Sequence, residues 1–165
     1  MKTQKGFSLI ELLIVVAIIL IIAAIAVPNF MRSKMVANES SAAAALRSIT
    51  SAEVTYATAY PSIGYSAALG DLGGTGASCA VATGATQTNA CLIDNVLALA
   101  ASPATAKSGY YFTYAPGAVA GTAFTVQAPP SIPGITGRRY FFTDQSGVIR
   151  YGVNSQPDIT SSPIQ

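Results

Sequence analysis

The sequence contains no histidine, no tryptophan and only two cysteines in 165 residues. Without histidine, the commonest general base and metal ligand is missing. Cys79 and Cys91 have no second pair to complete a zinc site, so a disulfide is the reading for an exported domain. Charge is scarce as well, with 10% Asp, Glu, Lys and Arg against about a quarter in soluble proteins. Much of the surface is therefore expected to face lipid or protein. There is no paired-acid motif and no nucleophile elbow, so an enzyme is not expected. No cofactor or metal is expected either, since Asp144 and Asp158 stand isolated. The formal charge of +2 comes from Lys2 and Lys5, and from Phe7 onward the two signs balance. Nucleic acid is then at most an incidental partner.

What the chain does have is a long apolar run. Residues 12–27 are apolar without interruption, and 7–27 are broken only by Ser8 and Glu11. That reaches the ~20 residues needed to span ~30 Å of hydrocarbon. A secretory signal has an apolar stretch of ~7–15 residues, shorter than this one, although Ala24 and Ala26 mimic its cleavage site. Lys2 and Lys5 ahead of the run set the N-terminus on the cytoplasmic side. Glu11 is the residue that a simple anchor leaves unexplained, since a charge near the centre of a span costs ~2.5–3.5 kcal/mol. The twelve Leu, Ile and Val of residues 12–27 contribute roughly 4–7 kcal/mol on the same scale, so insertion wins.

The string Gln4-Lys5-Gly6-Phe7-Ser8-Leu9-Ile10-Glu11-Leu12-Leu13-Ile14 resembles the class III leader of type IV pilins and pseudopilins. The resemblance implies cleavage between Gly6 and Phe7 by a prepilin peptidase, which also N-methylates Phe7, with Lys5 in the leader. It implies an α+β fold, the type IV pilin fold. In that fold a long N-terminal helix, kinked near Pro28, packs on a small antiparallel sheet of three to four strands. Residues 1–6 would be leader, 7–30 the transmembrane and filament-core half of the helix, and 31–165 the periplasmic or extracellular domain. Glu11 is expected to meet the Phe7 amine of a neighbouring copy and set register in a helical homopolymer. The implied partners are the chain itself, the peptidase/methyltransferase, an inner-membrane assembly platform and the membrane. Localisation follows as a single-pass inner-membrane precursor and then an extracellular pilus. A type II secretion pseudopilin, periplasmic, is the near alternative, and a plain bitopic anchor the alternative of another class. Adhesion, motility, DNA uptake and electron transfer all remain compatible with the leader.

Beyond the run, Leu46, Ile49, Glu53, Tyr56 and Tyr60 keep helical spacing and Pro61 stops it. One helix over about 7–60, about 80 Å long, is expected. Pro28 removes a donor inside it. Residues 61–88 read as a Gly/Ala/Ser/Thr-rich loop, closed by Cys79–Cys91 with a gain on the order of 3 kcal/mol. A short helix is expected within 89–101, then strands over 109–114, 123–128, 139–143 and 148–151. Asp144 reads as a turn residue. Residues 137–151 resemble the C-terminal hairpin of a subset of pilins and pseudopilins. The Cys pair departs from many pilins by preceding the sheet. Arg138 and Arg139 read as a solvated edge or as partners of Asp144. Asn38-Glu39-Ser40 matches a glycosylation triplet, and Ser161, Ser162 and Pro163 form a tail suited to O-linked sugar.

Overall fold

A computed structural model describes residues 7–74, 79 and 84–164. Its first element is helix α1, Leu9–Ala59, followed by the one-turn helix α2, Asn95–Ala98. Strands β1 (Thr113–Pro116), β2 (Phe124–Ala128), β3 (Arg139–Asp144) and β4 (Arg150–Val153) follow in chain order. The chain divides into two compact units, Met1–Lys34 and Met35–Gln165.

In the first unit α1 is exposed from Leu9 to Lys34, with Ala23 alone half-buried. Its apolar window is long enough to cross a membrane, and none of that window is buried. Pro28 lies inside the helix without ending it. The ring deprives the Ala24 carbonyl of its usual donor. One residue on, Asn29 Nδ2 donates to the Ile25 carbonyl at 3.0 Å, adding a side-chain bond where the backbone ladder is weakened.

In the second unit the later part of α1 packs on a four-stranded antiparallel meander ordered β1-β2-β3-β4. β2 alternates as a half-buried strand should: Phe124, Val126 and Ala128 face inward while Thr125 and Gln127 are half-exposed. Ala42, Leu46, Ile49 and Tyr56 of α1 join them, with Leu72, Leu97, Tyr110, Phe112 and Phe141 completing the core. Ala at 42, 43, 45 and 52 keeps the buried helix face thin. The outer edge of β4 is covered by the C-terminal segment: Tyr151 N donates to Ser162 O at 3.0 Å, and Ile164 N to Ile149 O at 2.8 Å. An edge strand is thereby closed to stray pairing.

Three local expectations need correction. The strand expected over 109–114 begins only at Thr113, because Ser108 and Gly109 both take positive φ and close a turn between Lys107 and Tyr110. Its aromatic residues Tyr110 and Phe112 are buried all the same. The last strand starts at Arg150 and not at 148, since the turn after Asp144 extends further. The loop expected over 61–88 contains a 3-10 helix, Leu69–Leu72, whose Leu69 and Leu72 enter the core. Helix α2 is one turn long, capped by Asp94, whose Oδ1 accepts from Leu97 N at 2.9 Å.

Candidate functional site

The sequence-based site residues fall into two groups. Gly6 and Lys5 lie outside the described residues, as does the whole leader, residues 1–6. Phe7, Glu11 and Pro28 lie in the first unit, Cys79 and Cys91 in the second.

Phe7 is 82% exposed just ahead of α1, so its ring has no intramolecular seat. Ser8 occupies the N-cap position, and Glu11 stands three residues on. Glu11 Oε2 accepts from Ser8 N at 3.0 Å, while Leu12 N donates to Ser8 O at 3.3 Å. This is the carboxylate half of a capping box, written in the sequence as Ser8-Leu9-Ile10-Glu11. Sequence reasoning read Glu11 only as a charge in need of a partner. The S-x-x-E spacing was the signal that it also has a local task. An acid in the first turn further complements the helix dipole. In the isolated chain Glu11 therefore has a donor of its own. A neighbour's ammonium would compete with this exposed hydrogen bond for it.

The second unit carries a buried polar cluster that sequence reasoning placed only on the helix stripe. Glu53 is fully buried and accepts from Ser66 N at 3.0 Å and from Ser66 Oγ at 2.5 Å. Tyr114 Oη donates to Ser66 O at 2.8 Å. Burial pushes the Tyr114 phenol above its ordinary range. Helix, following loop and first strand are thus tied at one point. The signal available in the sequence was a lone acid on an otherwise apolar face.

Cys79 and Cys91 form a disulfide with Cα atoms 5.8 Å apart. The bond lies against Gly74, where a Cβ would overlap both sulfur atoms. Tyr56 Oη donates to Gln87 O at 2.9 Å, so α1 also holds the closed loop. Arg138 and Arg139 meet neither Asp144 nor solvent alone. Their backbone N–H groups donate to Glu39 Oε1 at 2.9 and 3.2 Å, and Arg139 Nε lies 3.7 Å from Glu39 Oε2. Asp144 is a turn residue, accepting from Ser146 N at 2.9 Å. The Asn38 amide donates to Thr136 O at 2.9 Å, which leaves the glycosylation triplet engaged in packing.

All seven acids of the chain accept an internal hydrogen bond: Glu11, Glu39 and Glu53 on α1, and Asp71, Asp94, Asp144 and Asp158 beyond it. The arrangement holds a scaffold together and leaves no carboxylate pair poised over a cleft. Among the described residues, no group of three or more His, Cys, Asp or Glu is placed to hold a metal ion.

Comparison with known proteins agrees with this geometry. A family model described as "Prokaryotic N-terminal methylation motif" matches residues 1–27. The chain is 54% identical over 39 residues to the "Type IV wide pilus major component PilA4" of Thermus thermophilus, covering 24% of this chain and 30% of that protein. It is 45% identical over 53 residues to the "Type IV major pilin protein PilA" of Myxococcus xanthus, covering 32% and 24%. A "Fimbrial protein" of Pseudomonas aeruginosa is 73% identical over 30 residues, 18% and 20% of the two chains. The matched part spans less than a third of each relative. These matches bear out the resemblance to type IV pilins and pilin-like proteins, and the four-stranded α+β fold agrees with it. Relatives of structural kind also support the expectation that the chain is not an enzyme.

Proposed function

We propose that this chain is a structural subunit of a type IV pilus-like filament, made as a membrane-anchored precursor and assembled by helix packing. The reading is carried by the N-terminal segment, where a methylation motif, a fully exposed apolar helix and a single carboxylate coincide. An apolar helix with no intramolecular cover needs lipid first and neighbouring helices later.

Cleavage between Gly6 and Phe7 removes Lys2 and Lys5 while leaving the apolar helix joined to its domain. Glycine at position 6 gives a protease an unhindered backbone. The new Phe7 amine is N-methylated, and Glu11 of a neighbouring copy receives it. A buried pair of this kind sets axial register more than it adds net stability. Glu11 exchanges its local bond to Ser8 N for that partner, so it is hydrogen-bonded before assembly and ion-paired after it. The peptidase, an inner-membrane assembly platform and further copies of the chain are the partners this pathway requires. Pro28 loosens the helix within the lipid-facing stretch, close to its domain-side end. The pilus reading stands ahead of the pseudopilin one because the matched relatives are named as pilus and fimbrial components.

The test is genetic and microscopic. Cells carrying Gly6→Val should hold an uncleaved chain in the membrane and show no filament containing it. Filaments that still contain the Gly6→Val chain would contradict the processing step. An unprocessed wild-type chain confined to the envelope would favour a plain anchor.

A further inference from the structure

Between Glu11 and Glu39 the chain holds no acid and two cations, Arg32 and Lys34. Both are exposed, and neither has an ion-pair partner among the described residues. Glu39, the nearest acid after them, already serves the backbone of Arg138 and Arg139. Residues two apart on a helix point about 200° from each other. Arg32 and Lys34 therefore ring α1 and do not share a face. A protein groove engages one face of a helix, whereas lipids surround it.

Their depth is set by helix geometry. From Glu11 to Arg32 the rise is about 31 Å at 1.5 Å per residue, close to the ~30 Å of a bilayer's hydrocarbon. Residues 12–31 carry no charge, and the one amide among them, Asn29, is bonded to Ile25 O. With Glu11 at one interface, Arg32 reaches the other, and Lys34 lies about 3 Å beyond it. Phospholipid phosphate groups lie at that level. Arg binds phosphate through paired N–H donors and Lys as a point charge.

We infer that Arg32 and Lys34 form a collar that binds the phosphate groups of anionic phospholipids at the membrane face opposite the leader. The inference rests on the reading of residues 7–30 as a bilayer span. Its consequence is directional. Loss of residues 1–6 removes Lys2 and Lys5 from one face of the membrane, where only the Phe7 amine then stands opposite Glu11, and leaves the collar on the other, so the processed subunit is retained from the side on which its domain lies. Extraction into a filament then requires exchange of lipid phosphates for solvent or for groups of neighbouring copies.

The test is native mass spectrometry of the full chain in detergent with equal phosphatidylglycerol and phosphatidylcholine. Wild type should retain phosphatidylglycerol preferentially, and Arg32→Gln/Lys34→Gln should lose about fivefold of that preference per cation removed. The control Arg47→Gln/Arg138→Gln, changing two other exposed cations, should keep it. An unchanged preference in Arg32→Gln/Lys34→Gln, or an equal loss in the control, overturns the collar. Inorganic phosphate offered without lipid should bind neither wild type nor variant, and phosphate held by wild type alone would assign a free-anion site instead. Alkaline extraction separates the two levels of failure: release of wild type from membranes contradicts the span itself, while retention with an unchanged lipid ratio contradicts only the collar.

Discussion

Glu11 and Glu53 stand on the same helix in surroundings of opposite kind. Around Glu11 the apolar side chains are exposed, and its donor among the described residues is Ser8 N, three residues away. Around Glu53 the side chains are buried, and its donors come from Ser66, thirteen residues on and beyond the end of the helix. A local partner asks nothing of the rest of the fold, which suits residues 9–31 to the change of surroundings, from lipid to protein, that the proposed function requires. A distant partner exists only in the finished domain. One helix therefore serves two purposes: its first part is stabilised by whatever surrounds the molecule, and its second by the molecule itself.

The largest effect should come from breaking the buried side of this comparison. Glu53→Leu leaves the Ser66 N–H without an acceptor in the core and removes the carboxylate from the Ser66 hydroxyl, which keeps only Ala68 O and Tyr114 Oη, at a cost of roughly 3–5 kcal/mol. Chemical denaturation of the chain should show it, and Glu53→Gln, which keeps an acceptor, should recover more than half of the loss. Opening the disulfide with Cys79→Ser/Cys91→Ser should remove about 3 kcal/mol by the same measurement. A smaller loss is expected at Asp94, where Lys107 Nζ lies 2.6 Å from Oδ2 and Leu97 N caps onto Oδ1 at 2.9 Å. The hydrogen bond from Lys107, followed by that from the Leu97 backbone, holds this carboxyl below its ordinary range. Its contribution is thus complete above the unfolded value of about 3.9 and disappears as pH falls through the lower folded value. Because the pair is partly exposed, Asp94→Asn should cost only ~0.5–1 kcal/mol near neutrality and nothing in strong acid, read as denaturation midpoints across pH. The smallest effect on folding should be that of Glu11→Gln, within about 0.5 kcal/mol. That substitution should nonetheless disturb filament register or assembly, and a variant that is processed and assembles normally would remove the proposed pairing with Phe7.

The sequence allowed α1 to be bounded within two residues at its start and one at its end, because an apolar run, helical spacing and Pro61 all agreed. β2 and β3 were legible for a similar reason, with alternating or aromatic runs between Gly and Pro clusters. Residues 109–112 were not, since a run of aromatics reads as strand whether it enters a ladder or only a core. Gly109 and the positive φ of Ser108 decided that segment, and neither has a side-chain pattern to reveal it. At the candidate site the acid at position 11 was legible as a charge out of place, yet its cap with Ser8 was overlooked beside the longer-range role. The partners of Glu53 and Glu39 depend on chain segments brought together by folding. Neither Ser66 nor the backbone of Arg138 and Arg139 carries a sequence mark of that task.

The most direct measurement is the intact mass, with N-terminal fragmentation, of this chain in filaments sheared from its native cells. The account predicts a chain that begins at N-methylated Phe7 and retains the Cys79–Cys91 bond. A chain beginning at Met1 or Lys2, or one absent from every surface filament, would contradict it.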